Sequence, residues 1–253
     1  MRQPLSNWLI SRKTLQLTDT TMPIKFPLLM LRRVLRWLSC GVALSLLLTA
    51  MGASSWLIAD ISQKYINLAK RIGTQYGPRA ELRILAWRRT IEESRGLTVG
   101  QQLQNVNNFF NMLQFVDDQV HWGKNDYWAT PIEFLGSGGG DCEDFTIAKY
   151  FALRELGVPD SKLRLVYVKA LRLNQHHMVL AYYHTPTSVP VLLDNLDKTI
   201  KPAIQRNDLL PIYSFNAENL WLAKEKGRGQ LVGGSSRLSL WTDLNNRLTD
   251  LDG

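Results

Sequence analysis

The sequence predicts an α+β domain in which helices come first and antiparallel strands follow. Two observations carry this. Apolar residues recur at helical spacing as far as Leu113, and short apolar runs separated by turn residues occupy 163–169, 177–183 and 189–194. A third is the glycine-rich entry at Gly138–Gly140, which leads into one further helix between the two halves.

Ile61, Tyr65, Leu68 and Ile72 share one helical face, and Gly77-Pro78 ends that element. A second helix is expected from Ala80 to about Ser94, with Ala80, Ile84, Trp87 and Ile91 in its stripe. Thr98 and Gln101 have capping-box spacing ahead of a third, whose face carries Leu103, Val106, Phe110 and Leu113. Residues 117–141, rich in Asp, Gly, Trp and Pro, read as a shaped loop, and a helix from Cys142 to Leu156 follows, closed by Gly157 and Pro159. The segment 224–237 is Gly/Ser-rich and charged and is expected to be flexible. A short amphipathic helix is expected beyond it, through Leu238, Leu240, Trp241, Leu244 and Leu248.

The N-terminus points to a compartment. Arg32, Arg33 and Arg36 precede an uncharged stretch from Trp37 to Ala59, and small residues follow its leucine-rich centre at Ala50, Gly52, Ala53 and Ser54. That layout is a secretory signal, just long enough to span a bilayer if it is never cut. Export is therefore expected, with residues 1–52 as a signal peptide or a signal anchor, and Met22 or Met30 as possible starts. Cys40 precedes the leucine-rich core, which excludes a lipoprotein signal. The net charge of +8 is largely a property of this segment, which holds seven of the 30 Lys/Arg and one of the 22 Asp/Glu. The remainder is close to neutral, and nucleic acid is a poor partner for it.

Removing the signal leaves Cys142 as the one thiol of the mature chain, in a compartment where it can form no internal disulfide. In GSGGGDCEDF, residues 136–145, that thiol opens a helix behind three glycines. Unpaired N–H groups at a helix N-terminus favour a thiolate and can hold a developing oxyanion. A base is still needed. His176 and His177 lie in one predicted strand and point to opposite faces, so alternation alone leaves the choice open. Asp194, at the end of the next strand, is positioned to orient an imidazole. Asp141, Glu143 and Asp144 crowd the thiol, either as cap and helix-dipole partners or as ligands of a hard cation such as Ca²⁺. Asp117 and Asp118 are further oxygen donors that no motif licenses. Trp128 suits packing or a wall of a substrate groove.

The run DYWATPIEFLGSGGGDCEDFTIAKYFALRELGV at 126–158, with RLVYVKAL, HMVLAYY, VLLDNL and the PIYSFN–LW region after it, resembles the bacterial transglutaminase-like cysteine proteinases, and among them the LapG-type adhesin proteases. Phe145 and Thr146 depart from the more usual Tyr-Ala. The resemblance implies a papain-related fold over about residues 60–222, and composition makes 223–253 a flexible tail that ends in the short helix. It implies Cys142 as nucleophile, His177 as base, Asp194 as orienting carboxylate, and Ca²⁺ bound through Asp141, Glu143 and Asp144. It also implies a periplasmic endopeptidase acting on the N-terminal region of a large surface adhesin, so promoting biofilm dispersal. Its expected partner is an inner-membrane cyclic-di-GMP receptor that sequesters it. The residues themselves leave two rivals: a transglutaminase or deamidase using the same triad, and a binding module that keeps the fold without catalysis.

Overall fold

The computed structural model describes residues 63–224 and 227–251. The expected signal segment and Ile61 lie outside them. Three helices come first: α1 over 63–76, α2 over Pro78–Ser94 and α3 over Val99–Phe110. Gly77, at φ 94°, makes the break between α1 and α2 that a side chain would resist, and Pro78 starts α2 where its missing N–H costs nothing. Thr98 and Gln101 form the expected capping box. The predicted stripe of α2 is buried, as are Leu103, Val106 and Phe110 of α3, whereas Leu113 lies beyond the end of α3 and is half-buried.

After β1 (Gln114–Phe115), the segment expected to be a loop contains two short helices, α4 (Asp118–His121) and α5 (Pro131–Ser137). The cause is local. Thr130 accepts from the Glu133 N–H and Glu133 accepts from the Thr130 N–H, while Pro131 takes the first turn. Phe134 and Leu135 then enter the core. Two turns are too short for a helical period to show among so many Gly and Trp residues.

Following β2 (Gly139–Gly140), α6 spans Cys142–Glu155. It ends in a Schellman turn, with Gly157 at φ 88° and the Val158 N–H on the Leu153 carbonyl at 3.0 Å. The strands are β3 (Leu163–Ala170), β4 (Gln175–Tyr182), β5 (Val191–Leu193), β6 (Lys201–Pro202), β7 (Leu209–Phe215), β8 (Asn219–Lys224) and β9 (Gly227–Gly234). They form one antiparallel sheet in the order β6-β5-β4-β3-β7-β8-β9. One face, with Leu163, Leu165, Met178 and Leu180, packs with the helices into the main core. The other carries a smaller cluster of Val168, Ala170, Val179, Ala181, Leu192 and Leu209.

In the C-terminal region β9, paired with β8, takes the place of the segment expected to be flexible. The amphipathic helix expected beyond it is present as α7 (Ser239–Leu251), which docks on the core through Trp241 and Leu244. The Trp241 ring stacks over Phe151 at 5.9 Å and meets Phe215 edge-on at 5.2 Å. Burying those two side chains is worth about 1.5–3 kcal/mol each. A Gly/Ser-rich composition raises the entropy cost of ordering, yet a ladder uses backbone groups that glycine also has.

Candidate active site

Cys142 is the first residue of α6, and Asp141 is its N-cap. Asp141 Oδ1 accepts from the Glu143 N–H at 3.2 Å, and Asp144 Oδ2 accepts from the Asp141 N–H at 3.3 Å. This capping box fixes where the helix starts and so where the thiol stands. Gly140 is required beside it, because a Cβ there would lie 2.1 Å from Asp144 Oδ2.

The sheet supplies the other half. β5 begins its pairing with β4 at Leu180↔Leu193, so the edge of β4 at Met178 is not taken by β5. The start of α6 fills that gap: the Met178 carbonyl accepts from Thr146 Oγ1 at 2.9 Å, and its N–H is directed at the Cys142 thiol. His177 is the preceding residue, and Asp194 is the first residue after β5. His177 Nε2 lies 2.7 Å from Asp194 Oδ1, with both side chains buried. Burial alone would raise the Asp194 pKa. The His177 bond outweighs it together with the Leu196 N–H and Arg206 Nη1, and the pKa falls to about 2. An ionised Asp194 only accepts, so Nε2 carries the proton and Nδ1 is the ring nitrogen left for a reacting group. His176 is exposed, its ring 5.3 Å from that of Tyr167. Alternation places His176, not His177, with the Met178 face that packs on α6. The buried bond to Asp194 distinguishes the two histidines where alternation did not.

Among the described residues, the side-chain partner of the thiol is Glu143, whose Oε2 accepts from Sγ at 2.8 Å, rather than His177. Burial pushes the Cys142 pKa well up, and the negative charges of Glu143 and Asp141 add to that shift.

Three carboxylates gather beside it, and they are not quite the three the sequence suggested. Asp118, Asp141 and Asp144 each present an oxygen within 4.8 Å of the others, and Glu143, occupied by the thiol, is outside this group. Asp118 Oδ2 accepts from the Tyr127 N–H at 2.5 Å, and Asp144 Oδ1 from the Ala129 N–H at 2.7 Å. Asp118 Oδ1 is buried without a hydrogen-bond partner among the described residues. Burial and mutual repulsion raise the pKa values of Asp141 and Asp144, and burial with nearby acids brings Asp118 up to about 6. An oxygen-only donor set of high charge, with one buried oxygen unsatisfied, fits a hard dication. Asp118 was only one of two unlicensed donors in the sequence. Its sole signal there was acidity, and the 22 residues between it and Asp141 conceal their proximity. Asp117 instead takes the N-cap position of α4. Trp128 is buried and stacked on Phe215 at 5.5 Å, the packing role of the two considered.

The family model of the bacterial transglutaminase-like cysteine proteinases matches residues 88–226. The chain belongs to this family. Among solved structures, this proteinase is 43% identical to Legionella pneumophila LapG. The EGTA-treated form matches with a TM-score of 0.64, covering 72% of this chain and 96% of that one. The calcium-bound form matches at 0.62, covering 72% and 98%. No curated protein matches significantly. The α+β transglutaminase-like fold is thus established for this proteinase, and so is cysteine protease chemistry.

Proposed function

We propose that this proteinase is a calcium-dependent periplasmic endopeptidase that cleaves the N-terminal region of a large surface adhesin. One arrangement supports the reading: His177, buried and bonded to Asp194, directly precedes Met178, whose carbonyl and N–H meet Thr146 and Cys142 at the start of the helix that bears the thiol. Cys142 is the nucleophile, His177 the general base and acid, and Asp194 the carboxylate that holds the ring. The thiol first exchanges Glu143 for the imidazole. His177 Nδ1 takes its proton as Sγ bonds to the scissile carbonyl carbon, and backbone N–H groups at the start of α6 face the oxyanion. The same proton goes to the leaving amine as the C–N bond breaks. Water, deprotonated by His177, then opens the thioester and releases the acid and the thiol.

Asp118, Asp141 and Asp144 would hold the cation, with Glu143 as the further ligand that the family resemblance implies. When bound, Ca²⁺ supplies positive charge that offsets the carboxylates crowding the thiolate. A calcium-bound structure of the 43% identical Legionella protein supports this assignment.

Periplasmic export follows from the signal-like segment before Ala53. The resemblance to LapG-type proteases supports an inner-membrane cyclic-di-GMP receptor as the partner that sequesters the enzyme, with biofilm dispersal as the outcome of its release. The test is coincubation of the purified proteinase with N-terminal fragments of large adhesins encoded by the same genome. Cleavage at a small-residue site, abolished by EGTA, is the expected result. Transamidation or deamidation of those fragments without chain scission would refute it.

A further inference from the structure

We infer that Arg206, held in place by Asp208, is a positioning residue for the orienting carboxylate Asp194. This rests on the triad proposed above. Arg206 Nη1 donates to Asp194 Oδ2 at 2.8 Å, and the two side chains are 4% and 0% exposed. The other carboxylate oxygen, Oδ1, takes His177 Nε2 at 2.7 Å and the Leu196 N–H at 2.9 Å. Both oxygens are thus engaged. A carboxylate gripped through one oxygen can still turn about its Cβ–Cγ bond, and the imidazole turns with it. The guanidinium removes that freedom because its opposite edge is itself anchored. Nε and Nη2 donate to the two oxygens of Asp208 at 3.0 and 2.9 Å. Such a planar fork is something a lysine cannot reproduce.

The backbone sets up this bridge. The Arg206 N–H bonds the Ala203 carbonyl at 3.0 Å, and the Leu209 N–H bonds the Arg206 carbonyl at 3.1 Å. A tight turn between β6 and β7 therefore carries the side chain to Asp194, just past the end of β5. The main chain of Asp194 is braced from another direction, by Asn111 Nδ2 on its carbonyl at 2.8 Å, with Lys149 Nζ on Asn111 Oδ1 at 2.8 Å.

Charge explains why a single arginine would not serve. An isolated guanidinium facing Asp194 would cancel the negative charge that accepts the His177 Nε2–H. Asp208 restores it, since two carboxylates and one guanidinium leave one net negative charge behind the ring. The acidic side chain of Asp208 is 29% exposed, so the bridge reaches from the buried pair to solvent.

The experiment compares Arg206→Lys and Asp208→Asn with the unchanged protein, using an adhesin N-terminal fragment that it cleaves. It reads kcat and KM together with the folded fraction and the unfolding temperature. Arg206→Lys should lower kcat about 10- to 100-fold with KM nearly unchanged, and Asp208→Asn about three- to tenfold, because misplacing a reacting group by an ångström costs about a hundredfold. Unchanged kcat overturns the inference. A loss accounted for wholly by fewer folded molecules also overturns it, since a purely structural ion pair would do only that. If Arg206→Lys does not fold, the Asp208→Asn variant, altered at a partly exposed position, decides by the same criterion. Cys142→Ala and His177→Ala separate the two levels. Activity in either refutes the triad itself, whereas inactive controls beside a fully active Arg206→Lys refute only the role of Arg206.

Discussion

Removing calcium should destabilise this proteinase as well as silence it, and the cluster beside Cys142 shows by how much. Asp118, Asp141 and Asp144 offer oxygens within 4.8 Å of one another. At an effective dielectric constant of about 20, two unit charges about 5 Å apart repel by about 3 kcal/mol. Three ionised pairs would approach 10 kcal/mol, as much as the whole stability of an ordinary domain. Without the metal, burial and mutual repulsion favour the protonated forms of Asp141 and Asp144, which relieves part of that cost. A dication displaces those protons and converts repulsion into attraction. With Ca²⁺ at about 100 times its dissociation constant, mass action adds about 2.7 kcal/mol. For a domain of this size that corresponds to a rise of about 5–10 °C in unfolding temperature. The assay is a thermal melt in EGTA, in excess Ca²⁺ and in excess Mg²⁺, beside calorimetric titration of the stripped protein. Mg²⁺ should substitute poorly, since it demands a tight octahedron and sheds water reluctantly. Asp118→Asn should abolish most of the Ca²⁺ shift while leaving the α6 capping box intact, and Glu143→Gln should match it only if Glu143 is a ligand. Equal melting temperatures in EGTA and Ca²⁺, with no heat of binding, would refute the reasoning and return these acids to the role of helix caps.

Three further outcomes are expected. Cys142→Ala should cut cleavage by several orders of magnitude with the fold retained by circular dichroism; near-normal turnover would remove Cys142 from the reaction. His177→Ala should be inactive while the exposed His176→Ala retains most activity, and assays showing the reverse would mean that the buried Asp194 bond marks the wrong ring. For pH, Asp194 sits at about 2 in the folded protein, against about 3.9 unfolded. A depressed carboxylate stabilises above its unfolded pKa, so its contribution, on the order of a few kcal/mol by linkage, should be present above about pH 4 and lost as pH falls toward 2. Denaturant unfolding at the two ends of that window, compared with Asp194→Asn, tests this: the variant should lose less stability on acidification, and equal losses would contradict it.

Much of the fold was legible because it is written in local periodicity. The stripes of α2 and α3, the Thr98–Gln101 box, the extent of α6 and the positions of β3, β4 and β5 all follow from nearest-neighbour physics. The glycine-rich entry to Cys142 was equally plain, since a helix N-terminus is a local event. Where local composition argued against order, it misled. Residues 227–234 look flexible until the backbone of β8 lies beside them, and α5 stays hidden until Phe134 and Leu135 have a core to enter.

The sequence by itself determined the thiol, its helix, the two candidate histidines and the acidic crowd, because residue identity and spacing along one element suffice for those. The family resemblance had already singled out His177 and Asp194; only the tertiary structure shows the bond between them across strands, brings Asp118 to Asp141 and Asp144, and sets Arg206 behind the carboxylate. Each of these joins residues 12 or more apart in the chain. The free energy of such a contact depends on which elements pack together, and no local pattern encodes that.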